Sequence, residues 1–169
     1  YESFVLVDAE AIQTLRRALN EKGIVGIKGV PGYREKVDQF IEAARNFSSL
    51  PDSAKDSYAP NRALGDLFLG YEKGKEKFKR PDGQWVVDDL KNSYYAFVPD
   101  CSSNKWPLEV DLRRPYEELG TLMAEMGKAV MEKIGLLGQA AGIELGDTPQ
   151  VGRMLYYQKS VGSEVENPY

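Results

Sequence analysis

Apolar residues recur along this chain with two periods, and the switches between them lay out its elements. Phe4 to Val7 form a short apolar run closed by Asp8, which predicts a strand running into a helix N-cap. Ile12, Leu15 and Leu19 then step at helical spacing through AEAIQTLRRALNEK, and Gly23 stands where a left-handed C-terminal cap is wanted. The β-branched alternation of IVGIKGV predicts a second strand and PG a turn. Val37, Phe40, Ile41, Ala44 and Phe47 then mark the buried stripe of a second helix, ended by Pro51. A short helical turn is expected from Asp52 to about Tyr58, followed by the irregular stretch APNRALGDLFLG with Gly65 and Gly70 as flexible points.

The next stretch, EKGKEKFKR, carries five positive and two negative charges before PDG supplies a turn. WVVDDLKNSYYAFVPD then returns to strand composition, with Tyr94, Ala96 and Val98 alternating against Tyr95 and Phe97, so a hairpin-like excursion is expected. Leu112, Tyr116, Leu119, Met123, Met126, Val130, Ile134 and Leu137 step by three or four and predict one long core helix over 111–137, with Pro115 tolerated in its first turn. After the loop GQAAGIELGDTPQ, RMLYYQK reads as a strand with Met154, Tyr156 and Gln158 on one side and Arg153, Leu155 and Tyr157 on the other. A lone terminal strand would leave its backbone groups unpaired, so the reading preferred here is that further strands beyond Tyr169 complete its sheet.

Composition narrows the chemistry. The 169 residues, 42% of them apolar, suit one domain or a fragment of one, and a net charge of −4 gives no overall basic field for nucleic acid or an anionic membrane. There is no histidine, which removes Ser-His triads, His general bases and the two-His-one-carboxylate iron site from this stretch. Cys101 is the single cysteine, so no intramolecular disulfide forms, as a cytoplasmic protein would permit. The opening YESFVLVD lacks the basic and apolar regions of a signal peptide, and no apolar run reaches membrane-spanning length. The chain starts without Met and is expected to be part of something longer.

Individual motifs favour plain readings. The run Lys73 to Arg80 is interrupted by Glu76 and reads as a solvated loop; Asp88 and Asp89 read as turn or ion-pair residues. Gly23, Gly26, Gly29 and Gly32 sit every third residue within strand-like sequence, which is not the spacing of a phosphate-cradling loop. Tyr94, Tyr95, Trp106, Tyr156 and Tyr157 fit either core packing or the wall of a small-molecule pocket.

The order of segments carries more than any one of them. FVLVD, a helix, GIVGIKGVPG, a helix with Arg45 and Phe47, LPDSAK, GYEKGKE, DDLKNSYYAFVPD, NKWP, a long helix and RMLYYQK resemble, nearly end to end, the N-terminal half of the isopenicillin-N-synthase-like iron(II)/2-oxoglutarate dioxygenases. The resemblance implies an α+β fold: residues 1–150 form an accessory α/β region around the long helix, and residues 151–169 hold the first strand of a double-stranded β-helix, or jelly roll, left incomplete in this chain.

It also implies that the parent protein is an enzyme oxidising a C–H bond of a small organic molecule with Fe(II), 2-oxoglutarate and O₂. The family's His-x-Asp, distant His and Arg-x-Ser lie downstream of the paired-tyrosine strand, so this segment should contain no catalytic or metal-binding residue and be inactive alone. The family's Asn-x-Tyr element maps onto Leu155 and Tyr157; Tyr157 would offer its hydroxyl to the cosubstrate carboxylate, while Leu155 departs from the pattern. Substrate is expected near the segment entering RMLYYQK and near the Leu67 to Tyr71 loop. Two other readings stay open: a 2-oxoglutarate-independent oxidative cyclase or desaturase of the same fold, and a metal-free binding protein that keeps the fold without the ligands.

Overall fold

A computed structural model describes residues 9–66, 68–88, 90–135 and 149–158. The expected strand Phe4 to Val7, Leu137 and residues 138–148 of the loop that follows it lie outside these residues, while Gln150, the last residue of that expected loop, already belongs to a strand. Helix α1 (Ala9–Lys22) stops at Gly23, which takes φ 68° and donates its N–H to the Leu19 carbonyl at 3.0 Å. The following IVGIKGV forms no strand, contrary to its pattern: no described strand pairs with it, and Ile24 and Ile27 are exposed. Alternation specifies which residues share a face, but a strand also needs a partner for its backbone groups.

Helix α2 (Tyr33–Ser48) buries Ala43 and Phe47, with Phe40 and Ala44 packed beside them. Ile41, expected in the stripe, is exposed; the helical turn of 100° per residue carries it off the Phe40–Ala43–Phe47 line. Helix α3 (Asp52–Asp56) and a 3₁₀ turn (Arg62–Leu64) lead to strand β1 (Gly70–Lys73). Gly70 is a point of close approach, not a flexible joint: its φ is 99°, and an added Cβ would lie 2.0 Å from the Tyr58 carbonyl oxygen. That carbonyl accepts the Tyr71 N–H at 3.0 Å, so the approach joins the α3 region to the sheet.

Strands β2 (Lys77–Lys79) and β3 (Trp85–Val87) form the expected hairpin around Pro81, Asp82 and Gly83, so the basic run read as a loop is partly strand. Strand β4 (Lys91–Val98) is the centre of a three-stranded antiparallel sheet, between β1 and β5 (Gln150–Tyr157). The register sets Tyr71 opposite Tyr94 and Met154 opposite Tyr94, and these three buried side chains point the same way. The strand at RMLYYQK is therefore not an orphan: one edge pairs with β4 along its whole length, and only its outer edge lacks a described partner.

Helix α4 (Arg113–Lys133) is shorter than the 111–137 its periodicity predicts and ends at Ile134 and Gly135, where φ is 76°. Pro115, Tyr116, Leu119 and Leu122 are its buried residues, and Met123, expected in the stripe, is exposed. Helices α2 and α4 pack together on one face of the sheet, where Phe47, Tyr71, Tyr94, Leu112, Tyr116 and Met154 make the core. The architecture is α+β with antiparallel sheets, and no barrel closes among the described residues.

Gly70→Ala is expected to destabilise the protein by about 3 kcal/mol, since it adds a steric conflict with backbone to an unfavourable φ. Gly127→Ala, on the exposed side of α4 with nothing within 4 Å of the added Cβ, should stabilise by roughly 0.5–1 kcal/mol. Denaturant titration of the two variants against wild type checks both signs.

Candidate functional site

Side chains alternate across a strand, so burying Asn92, Tyr94, Ala96 and Val98 against the helices sends Lys91, Ser93, Tyr95 and Phe97 to the opposite face of β4. The register adds Tyr157, Leu155, Arg153 and Val151 from β5, and Gly70 and Glu72 from β1, to that same open face. Phe68 covers part of it edge-on, with ring centroids 5.8 Å from Tyr95 and 6.0 Å from Phe97.

Charged groups converge on Tyr95. The Arg153 guanidinium lies 5.2 Å from the ring centroid, and the Lys75 ammonium 5.5 Å. Arg153 Nη2 donates to Ser93 Oγ at 2.8 Å and to Glu76 Oε1 at 2.7 Å; Lys91 Nζ donates to the other Glu76 oxygen. Glu76 immediately precedes β2, so this carboxylate ties the hairpin to β4 and β5. Glu72, nearly buried, holds Arg62 at 2.7 Å and Lys75 at 2.6 Å. The hydrogen bond from Lys91 and then that from Arg153 hold the Glu76 carboxyl below its ordinary value, and Glu76 raises both cations in return.

Two segments of the sequence act as supports for this face. In LPDSAK, Lys55 is almost wholly buried; its ammonium donates to the Ser48 carbonyl at 3.1 Å, pairs with Asp52 at 3.0 Å and lies 5.8 Å from the Tyr71 ring centroid. In NKWP, Asn104 takes the place of a neighbouring strand beyond the Gly70 start of β1, accepting the Phe97 N–H at 2.8 Å and donating to the Phe97 carbonyl at 2.9 Å. Asp100 then accepts from Asn104, from the Trp106 indole N–H at 2.8 Å and from Arg113 at 2.7 Å.

Tyr157 sits at the end of β5 on the open face, opposite Lys91, with 64% of its surface exposed. Of the Leu67 to Tyr71 loop, Leu67 lies outside the described residues, Phe68 is on the open face, and Tyr71 is turned into the core, where its hydroxyl donates to Asn92 at 2.8 Å. Tyr94, Trp106 and Tyr156 also belong to or pack against the core, so only Tyr95 and Tyr157 of the aromatic set are placed to line a pocket on this face. Asp88 accepts the Lys91 N–H at 3.2 Å, which is turn duty; Asp89 lies outside the described residues. Arg153, Glu76 and Ser93 were not singled out by sequence, although alternation through RMLYYQK already placed Arg153 beside Tyr157.

Two cavities lie on the helix side. One of about 390 Å³ is lined by Phe40, Tyr116, Leu119, Met123 and Gly152 among others, and one of about 800 Å³ by Ile27, Val30, Tyr33, Leu122 and Met126 among others. No carboxylate lines either. Among the described residues no group of three His, Cys, Asp or Glu could hold a metal ion, and no helix is long and apolar enough to cross a membrane.

Residues 6–114 match the family described as non-haem dioxygenase in morphine synthesis N-terminal, and the chain belongs to this family of dioxygenase N-terminal regions. Among solved structures it is similar to a protein from Caulobacter crescentus described as a 2OG-Fe(II) oxygenase family protein, with a TM-score of 0.55 and 22% sequence identity over 72% of this chain. The match covers 43% of that protein, so the chain spans less than half the length of this neighbour. No functionally curated protein matches the chain.

The Glu76 clamp carries a pH signature. Because its folded value lies below the ordinary 4.5, the clamp is fully present above that pH and is lost as pH falls through the lower, folded value. An NMR titration of the Glu76 side-chain carboxyl should give a midpoint below 4.5, and Glu76→Gln should speed amide exchange in the β2–β3 hairpin.

Proposed function

We propose that the parent protein is a non-haem iron(II) oxygenase that uses 2-oxoglutarate and O₂ to oxidise a C–H bond of a small organic substrate. The observation that carries this reading is the family match over residues 6–114, joined to an open sheet face whose outer strand, β5, has one edge still unpaired among the described residues. In this reading residues 1–150 are the accessory region, and the strand from 151 opens a jelly roll that sequence beyond residue 169 completes.

Iron does not fit this chain. It contains no histidine, and its described carboxylates do not cluster, so the ligands are assigned to sequence beyond residue 169. The chain's own contribution is one wall of the site and the braces behind it. Tyr157 is the residue proposed for the cosubstrate: it stands exposed on the open face opposite Lys91, and a phenol hydroxyl there is suited to donate to a carboxylate. One observation favours a second reading: Leu155 stands where the family's Asn-x-Tyr element has its amide, which suits an oxidative cyclase or desaturase that needs no 2-oxoglutarate.

Sequence past Tyr169 is expected to contain a His-x-Asp pair within about 20 residues, since a jelly roll needs about eight strands. Reading the gene onward tests this, and a stop codon directly after Tyr169 sinks the oxygenase reading. In the full-length protein, Tyr157→Phe should weaken 2-oxoglutarate binding about 10- to 150-fold, the worth of roughly 1.5–3 kcal/mol for a hydrogen bond to a charged group, with little loss of thermal stability. Anaerobic calorimetric titration of the iron-loaded proteins measures this. Equal affinities would make Tyr157 a structural residue and support the 2-oxoglutarate-independent reading.

A further inference from the structure

We propose that Arg153 is the anchor for a carboxylate on the substrate, and that Glu76 of the hairpin occupies its place until such an anion arrives. That the anion is a substrate rests on the oxygenase reading; the anion site rests on the geometry alone.

Several features of Arg153 suit an anion receptor. Its guanidinium lies over the Tyr95 ring, 5.2 Å from the centroid, and is held by two hydrogen bonds to Ser93 Oγ, at 2.8 Å from Nη2 and 3.2 Å from Nε. A guanidinium fixed in this way offers its remaining N–H groups without first losing side-chain entropy. Its present anionic partner, Glu76 Oε1 at 2.7 Å, comes from the segment that leads into the hairpin and not from the sheet beneath. A carboxylate is thus already seen in the position assigned to the ligand, and it comes from outside the three-stranded sheet. Lys91 binds the second oxygen of that carboxylate, so the receptor is two-pronged.

The surroundings set the ligand class. Arg62, Lys75, Lys91 and Arg153 share the carboxylates of Glu72 and Glu76. Asp88, which accepts the Lys91 backbone N–H, offsets one of these charges, leaving the named groups with a positive charge in excess in a chain of net charge −4. On the same face as Arg153 stand Tyr95, Phe97, Val151 and Leu155, with the last two exposed. A cation flanked by apolar and aromatic surface selects a small organic acid with an apolar or aromatic body over an inorganic anion or a neutral molecule.

The test uses full-length protein with 2-oxoglutarate held at saturation, so that a probe acid cannot be scored at the cosubstrate position. Benzoate is titrated calorimetrically, with benzamide as its neutral counterpart. Wild type should bind benzoate at least tenfold more tightly than benzamide; Arg153→Gln should abolish that preference, and Glu76→Gln should strengthen benzoate binding by removing the resident competitor. Failure of wild type to prefer benzoate, or equal benzoate affinity in wild type and Arg153→Gln, overturns the proposal. So does a loss of 2-oxoglutarate affinity in Arg153→Gln with benzoate binding intact, since Arg153 would then hold the cosubstrate. Fe(II)-dependent succinate release, followed in the same preparations, judges the 2-oxoglutarate reading separately: Arg153-dependent benzoate binding without it supports the anion site and removes only 2-oxoglutarate use.

Discussion

Tyr94 is the contact through which the distant parts of this chain are held to one another. Its ring meets Phe47 of α2 edge-on at 5.1 Å, stacks on Trp106 at 6.1 Å and meets Tyr116 of α4 at 6.4 Å. Each such pair contributes about 0.5–1.5 kcal/mol beyond the area it buries. Tyr94 sits on the only strand bonded on both edges within the three-stranded sheet, so fixing its ring fixes β1 and β5 as well. The period of two then leaves no choice for its neighbours: with Tyr94 inward, Ser93 and Tyr95 must face outward. Core packing thereby decides which side chains are available for chemistry on the far face.

Polar residues complete what the aromatic cluster begins. Lys55 brings a charge into the interior, tolerable because Asp52 and the Ser48 carbonyl satisfy it and the Tyr71 ring lies within cation–π range. Asn104 supplies the hydrogen bonds that Phe97 would otherwise find in a neighbouring strand, and Asp100 gathers Asn104, Trp106 and Arg113 onto one carboxylate. These contacts give a physical reason for the LPDSAK and NKWP segments, whose residues look unrelated until the sheet places them.

Elements whose apolar spacing coincides with a tertiary partner were legible in the sequence. The stripe of α4 led to Tyr116 and Leu119, and alternation through NSYYAFV led to Tyr94, Ala96 and Val98. IVGIKGV failed because alternation says nothing of whether a partner strand is present, and Ile41 and Met123 failed because an apolar type does not by itself fix the angle at which a helix packs. Of the candidate site, Tyr157 was reached through the resemblance and lies on the open face where alternation set it. The Glu76–Arg153 pair was out of reach, since the two stand 77 positions apart and only the sheet register and the hairpin's fold bring them together.

The outer edge of β5 bears on how this segment can be handled. Along it run backbone N–H and C=O groups with no strand beside them among the described residues, and Val151 and Leu155 stand exposed on the same strand. Such an edge is a template for another copy of itself. At high concentration the chain would tend to add strand to strand between molecules, and its solubility would then report on this open edge more than on the quality of its own core.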